Sequence, residues 1–264
     1  MRVHSLFLYP VKSLAGIPVS SFVMDDFGPQ GDRRWMIVDS ERQFVTQRNF
    51  PELARVSTAI EQDCVTVSVP GEGAFRLQAT DTGVRVRVWQ DWVDAFVGAE
   101  DASAALSRFC GTALQFVFMP DDSFRRVDAG RVSEVRRVSF ADGFPFLVTN
   151  LASLEELNSR LPAPVEMRRF RPNIVVEGAE PWQEDDWRQI DIGQQSFSLV
   201  KPCSRCVMTT VDPDAGVKDE GLQPLRTLGQ YRRTVDGVIF GMNAIHQSPG
   251  RISVGDPVKN RITE

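Results

Sequence analysis

Short alternations of apolar and polar residues, cut at close intervals by glycine and proline, constrain this chain more than any other feature. Residues 84–89 (VRVRVW) put Val84, Val86 and Val88 on one face of an extended chain and Arg85 and Arg87 on the other. That two-residue period is the mark of a half-buried strand. Residues 33–39 and 64–69 alternate in the same way, and 115–119, 146–149, 174–176, 196–200 and 206–211 have strand composition. Gly28-Pro29, Pro70-Gly71, Asp142-Gly143, Asp212-Pro213 and Pro249-Gly250 separate the runs, placing turns where a helix would have to continue. A chain divided like this is expected to be mainly β, an α+β fold with few short helices, arranged as barrels or sandwiches.

Helical signals are sparse. Leu151, Leu154, Leu157 and Leu161 fall at helical spacing behind Asn150 as N-cap, and Ser153-x-x-Glu156 matches a capping box. Residues 102–110 and 224–232 are weaker candidates. The polar, basic stretch 121–137 is the best internal boundary. It divides an N-terminal lobe, 1–120, from a C-terminal lobe, 121–264, and is soft because strands can cross it.

Charge narrows the partners. Thirty Lys and Arg stand against thirty-five Asp and Glu, a net charge of −5, which disfavours a nucleic-acid polymer or an anionic membrane as ligand. No apolar run reaches the ~18–20 residues of a membrane span. The opening Met1-Arg2-Val3-His4-Ser5-Leu6-Phe7-Leu8-Tyr9-Pro10 is too short an apolar run for a secretory leader and reads as a first strand, so the expected compartment is the cytoplasm.

Four cysteines do not make a disulfide framework in a chain of this length. Cys64 and Cys110 stand alone in apolar surroundings and are expected to be buried as small hydrophobes. Cys203 and Cys206 form the one close pair, in Lys201-Pro202-Cys203-Ser204-Arg205-Cys206-Val207-Met208-Thr209-Thr210-Val211. A structural zinc site wants four Cys or His ligands, and the chain has no second C-x-x-C and only two histidines, His4 and His246. A thioredoxin-like dithiol wants a helix after its first cysteine, whereas β-formers follow here. Two readings remain: an inert structural pair, and a single thiolate that ligates a soft metal whose other ligands come from a cofactor. Arg205 would favour such a thiolate electrostatically. Chemistry alone ranks the inert pair first.

The company of the pair changes that ranking. Tyr9-Pro10-Val11-Lys12-Ser13, Gly31-Asp32-Arg33-Arg34-Trp35, Phe170-Arg171-Pro172-Asn173, Cys203-Ser204-Arg205-Cys206 with Thr209-Thr210-Val211-Asp212-Pro213, and Val254-Gly255-Asp256-Pro257-Val258 occur in this order. Together they resemble the MOSC-domain family with its N-terminal MOSC β-barrel, and within it the bacterial reductases of N-hydroxylated bases and the mitochondrial amidoxime-reducing component. The resemblance spans essentially the whole chain. It implies two β-barrel-like lobes, the C-terminal one being the MOSC barrel.

It also implies a molybdenum–molybdopterin cofactor of the sulfite-oxidase type, in which a pterin dithiolene supplies two sulfurs and one protein cysteine a third. By motif position the molybdenum ligand is Cys206, with Ser204 and Arg205 as neighbours of the cofactor. Lys12, Ser13, Arg33, Arg171 and Asn173 map to groups that grip the pterin and its phosphate. Asp142, Gly143, Phe144 and Asn243 map beside it, Phe144 and Asn243 at positions where relatives differ. Read by themselves, Lys12, Arg33 and Arg171 would be solvated surface residues, and Gly31-Asp32 and Asp142-Gly143 ordinary turns.

The activity implied is reduction of amidoximes, hydroxylamines and N-hydroxylated nucleobases by oxygen removal, a hydroxylaminopurine detoxification among them. Cys206 would tune the metal, and Asp142 could relay a proton as a catalytic group. No C-x4-C-x2-C cysteines and no G-x-G-x-x-G are found. The expectation is therefore no iron–sulfur cluster or flavin on this chain, and a separate ferredoxin- or cytochrome-type donor with its reductase. A cofactor or persulfide carrier that handles sulfur without reducing anything is the alternative, and a cofactor-free β scaffold is the blander one.

Overall fold

Strand runs pair into four sheets in a computed structural model that describes residues 1–61 and 64–261; residues 62–63 and the last three residues of the expected second lobe lie outside the described residues. The largest sheet has nine strands. In spatial order they are Val258–Asn260, Gln189–Ile192, Gln195–Ser204, Gly237–His246, Phe146–Asn150, Ile174–Glu177, Arg2–Leu8 and Ile17–Val19, with Arg233–Thr234 alongside Gly237–His246. Phe146–Asn150 and Ile174–Glu177 run parallel, and their crossover carries the helix Leu151–Ser159. Parallel neighbours need such a crossover, because a hairpin turn cannot join them.

A second sheet holds Trp35–Val38, Gln115–Phe118, Asp91–Gly98 and Ala79–Val88 in that order. Here the 84–89 alternation behaves as expected: Val86 and Val88 are buried, and Arg85 on the opposite face is exposed. Each buried valine contributes about 1.5–3 kcal/mol through loss of apolar contact with water. A third sheet joins Ser57–Glu61, Cys64–Val69 and Gly73–Arg76, and a fourth joins Gly250–Ser253, Ser21–Asp25 and Gly28–Pro29. The helix Glu100–Cys110 buries Ala102 and Leu106 in one core with Val67, Phe116 and Trp35. No helix among the described residues is long and apolar enough to cross a membrane.

The boundary near residue 120 divides the sequence but not the sheets. Arg2–Leu8 pairs antiparallel with Ile174–Glu177, and Ser21–Asp25 pairs with Gly250–Ser253. The reason is burial: Val3, Leu6, Leu8, Phe22 and Met24 share one core with Phe146, Ile174, Phe197 and Ile252. The basic stretch 121–137 is no solvated linker either, since Val127 and Val132 pack with Val138, Ala141 and Ile245.

Local chemistry corrects three further expectations. Asn150 does cap the helix Leu151–Ser159, its side chain accepting from the Ala152 N–H at 3.1 Å. The capping box does not form: the Ser153 hydroxyl donates to Glu184 at 2.8 Å and accepts from the Trp182 N–H at 2.7 Å. Residues 206–211 are not a strand, because a 3₁₀ turn occupies Val207–Thr210. The Thr209 and Thr210 hydroxyls bond back to the carbonyls of Cys206 and Val207 at 3.0 and 2.7 Å, a local alternative that competes with strand pairing. Cys64 and Cys110 are half-buried rather than buried. Burial still pushes the Cys110 thiol up to about 12, with Glu52 adding to the shift.

Candidate functional site

Loops at the strand ends surround a cleft of about 810 Å³. All twelve site residues expected from the sequence line it: Lys12, Ser13, Arg33, Asp142, Gly143, Phe144, Arg171, Asn173, Ser204, Arg205, Cys206 and Asn243. Lys12 and Ser13 follow the first strand, Arg33 precedes Trp35–Val38, and Arg171 with Asn173 leads into Ile174–Glu177. Nine Lys or Arg side chains line the cleft against three carboxylates, Asp91, Asp128 and Asp142. In a chain of net charge −5, that local excess makes the cleft a site for an anion.

The buried end centres on Asp32, whose residue is 2% exposed. Its carboxylate accepts from the Tyr9 N–H at 2.8 Å, Asn173 Nδ2 at 3.2 Å and Arg33 Nη1 at 2.5 Å. Burial pushes the Asp32 carboxyl up, against the pull of Arg33. Arg33 Nη1 also reaches Asn173 Oδ1 at 3.1 Å, while Arg171 Nη1 donates to the Leu14 carbonyl at 2.7 Å. The guanidinium carbons of Arg33 and Arg171 lie 4.4 and 4.3 Å from the Tyr9 ring centroid. Burial lowers the Arg171 guanidinium to about 10. Two desolvated guanidinium groups beside one another gain most from an anionic ligand.

The open end is arranged around Asp142, whose side chain is 62% exposed against 7% for its partner Lys12. Lys12 Nζ donates to Asp142 Oδ1 at 2.6 Å and to the Phe140 carbonyl at 2.8 Å. Trp89 Nε1 donates to the same Oδ1 at 3.2 Å, and Arg48 Nη2 stands 3.8 Å from Oδ2. Desolvation would raise the Asp142 carboxyl, but Lys12 and Arg48 outweigh it and hold the group well below the usual carboxylate range. Burial lowers Lys12 to about 8, with Asp142 opposing the shift. With the carboxylate held ionised near neutrality, the pair's exchangeable proton sits on Lys12 Nζ, and Asp142 enters a relay only as an acceptor.

The two cysteines have different neighbours. Arg205 Nη1 donates to Cys203 Sγ at 2.9 Å and its Nη2 to the Phe170 carbonyl at 2.7 Å, so the thiol that this arginine favours is that of Cys203. Its Nε is buried with no hydrogen-bond partner among the described residues. Arg48 takes the place beside Cys206, with Nε 3.3 Å from Sγ. Cys203 is the penultimate residue of the strand Gln195–Ser204, while Cys206 lies beyond it in extended conformation, just before the 3₁₀ turn. Ser204 donates to the Asp236 carbonyl, and Asn243 Nδ2 approaches the Pro202 carbonyl at 3.5 Å.

This donor set fits a metal that arrives already chelated by an anion. No cluster of three or more His, Cys, Asp or Glu able to hold an ion exists among the described residues. Two thiols, Cys203 and Cys206, line the cation-rich cleft; either can add a single soft ligand to a pterin-bound metal, and the arginines can hold the anionic carrier.

Backbone strain concentrates in the same place. Eight non-glycine residues among those described have positive φ, and Ser13, Arg33, Trp89 and Arg171 of the cleft are four of them. Each such residue costs about 1–2 kcal/mol over its right-handed form, and strain of this kind gathers where ligands are held. Two further cleft residues, Arg48 and Trp89, escape sequence reasoning. Arg48 sits in an irregular stretch 158 residues before Cys206 and carries no local motif. Trp89 is the turn residue between two strands, and a large aromatic in that place is its only signal.

Comparison with known proteins agrees with the geometry in kind. A family model described as MOSC domain matches residues 135–259, and one described as MOSC N-terminal beta barrel domain matches 1–113. Mitochondrial amidoxime-reducing component 1 of Mus musculus is 34% identical over 276 residues, covering 97% of this chain and 81% of that protein. Its Homo sapiens counterpart is 32% identical, covering 97% and 82%. A molybdenum cofactor sulfurase of Oryza sativa subsp. japonica is 26% identical over 92% of this chain and 32% of its own length.

Proposed function

The chain belongs to the MOSC-domain family, in the form that carries a MOSC N-terminal β-barrel, and from that premise we propose a molybdenum-cofactor-dependent oxidoreductase that removes oxygen from N-hydroxylated compounds. The substrate classes are amidoximes, hydroxylamines and N-hydroxylated nucleobases, the first in keeping with the names of the amidoxime-reducing relatives. The observation that carries the reading is a cleft lined by nine cationic side chains with Cys203 and Cys206 in its wall, of which the motif assigns Cys206 as the ligand. When bound, the cofactor would supply two electrons and accept the substrate oxygen, so that the N-hydroxy compound and two protons become the reduced nitrogen compound and water.

The protein's share of that work follows from its own groups. Arg33 and Arg171 offer planar donors to an anionic carrier, and Lys12 adds a point charge. Tyr9, Asp32 and Asn173 keep Arg33 in place, by ring contact and by hydrogen bonds. Cys206 gives the one protein sulfur, with Arg48 beside it. Lys12 Nζ holds a proton within reach of the open end, and with a value near 8 it can lose and regain it close to neutrality. Electrons come from a separate ferredoxin- or cytochrome-type protein with its reductase.

The test is elemental and pterin analysis of protein from a molybdopterin-competent host, followed by reduction of benzamidoxime with a viologen donor. The reading requires near one molybdenum per chain and turnover. Zinc, or no metal, would overturn it. Similarity to the rice sulfurase over 92% of this chain favours a second reading, a sulfur-handling carrier. Full molybdenum loading without reduction of benzamidoxime would select that one.

A further inference from the structure

Most of the cleft suits an anion, and Asp142 does not. Its Oδ1 is taken by Lys12 and Trp89, but Oδ2 has only Arg48 near it, at 3.8 Å, beyond hydrogen-bond length. One carboxylate oxygen therefore stands open, on a side chain that is 62% exposed. This oxygen is an open acceptor, suited to a ligand that brings N–H donors.

Trp89 adds the second element. Its indole is 40% exposed although it lines the cleft, and it is not free to move. The Arg48 guanidinium lies over the ring at 4.6 Å, Phe44 packs at 5.0 Å with a 54° tilt, and Nε1 is bonded to Asp142. Arg87 Nε donates to its carbonyl at 3.0 Å, and its φ of 57° is the left-handed turn conformation. Arg48 covers one face of the ring, and the part of the indole left exposed is a fixed, preformed aromatic surface. Its hydrogen bond fixes that surface next to the open carboxylate oxygen.

We propose that Trp89 and Asp142 together form the substrate subsite, selecting planar aromatic N-hydroxyamidines by stacking the ring on the indole and taking the amidine N–H edge on Asp142 Oδ2. The assignment rests on the reductase reading above. Stacking discriminates by the ligand's plane, whereas the carboxylate sees every amidine alike, so the two contributions separate experimentally. An alkyl amidine keeps the second contact and lacks the first.

The experiment is titration calorimetry of benzamidine and acetamidine, which cannot turn over, into the molybdenum-loaded protein and its Trp89→Ala and Trp89→Phe variants. Trp89→Ala should weaken benzamidine roughly tenfold and leave acetamidine within about twofold. Trp89→Phe should restore most of the benzamidine affinity, which a merely structural role in the turn would not do. Equal weakening of both ligands, unchanged benzamidine binding in Trp89→Ala, or no binding of benzamidine by the unaltered protein would each overturn the assignment. Loaded protein that fails to reduce benzamidoxime would instead overturn the reductase reading, and the subsite with it. Turnover with an unchanged benzamidine-to-acetamidine ratio in Trp89→Ala would overturn the subsite alone.

Discussion

Around Asp32, at the buried end of the cleft, each carboxylate oxygen has a fixed partner, and the Arg33 and Arg171 guanidinium groups are seated against Tyr9. Around Asp142, at the open end, the carboxylate keeps a free oxygen, Trp89 keeps an open surface and Cys206 touches a single guanidinium nitrogen. Both ends use an Asp, a cation and an aromatic ring. What separates them is burial and unfilled bonding capacity: a closed network is suited to hold shape and charge against an anion, while open groups leave acceptors and surface for a second ligand.

The largest effect that could break this contrast is on stability. Asp32→Asn turns one of its acceptors into a donor facing N–H groups and leaves Arg33 without its counter-charge, at a cost of about 3–5 kcal/mol. Asp142→Asn keeps the acceptor used by Lys12 and Trp89 and its own side chain faces solvent, but it takes the counter-charge from buried Lys12, so a smaller loss of about 1–3 kcal/mol is expected. Urea denaturation of the two variants reads the difference. Equal losses would remove the distinction between the ends.

Cofactor retention comes next. Arg171→Ala should lower occupancy by about 1.5–3 kcal/mol, the worth of a charge-assisted hydrogen bond. Arg171→Lys should recover part of it, since a point charge does not reproduce the guanidinium fork. Pterin and molybdenum content per chain is the measurement, and full occupancy in Arg171→Ala would place this arginine outside the binding set.

The most gradual effect is a pH dependence, and its sign is fixed by Lys12. The folded value near 8 lies below the ordinary 10.5, so the unfolded chain binds this proton more tightly between those limits. Stability should therefore rise with pH across that window, by up to about 1.4 kcal/mol per unit. Affinity for inorganic phosphate, which depends on the folded protein alone, should fall as the pH rises through about 8 and the ammonium is lost. Lys12→Met should flatten both profiles. A phosphate profile that kept its slope in Lys12→Met would assign the titration to another group.

Legibility in the sequence follows the range of the interactions. The alternation over 84–89 and the Asn150 cap depend on neighbours in the chain, and both can be read from the amino-acid order alone. The twelve cleft residues are readable through their motifs, because a motif carries long-range geometry that composition lacks. Arg48 reaches the site from an unmarked segment, and Trp89 from the end of a run that reads as strand, so neither is announced as a site residue. The turn Val207–Thr210 reads as a strand because valine and threonine usually favour strands, yet here two threonine hydroxyls bond to carbonyls three residues back. The pairing of the first 25 residues is hidden for a related reason: their partners, Ile174–Glu177 and Gly250–Ser253, lie far along the chain.

The central claim is that Cys206, and not Cys203, completes the metal's coordination, with Arg205 committed to Cys203 and Arg48 to Cys206. Molybdenum K-edge X-ray absorption on the loaded protein, Cys206→Ser and Cys203→Ser counts the sulfur ligands directly. One sulfur fewer in Cys206→Ser, with N-reduction per molybdenum abolished, and no change of either in Cys203→Ser is the expected result, because a hard oxygen is a poor substitute for a soft thiolate. Loss of a sulfur in Cys203→Ser, or the same loss in both variants, would contradict the account.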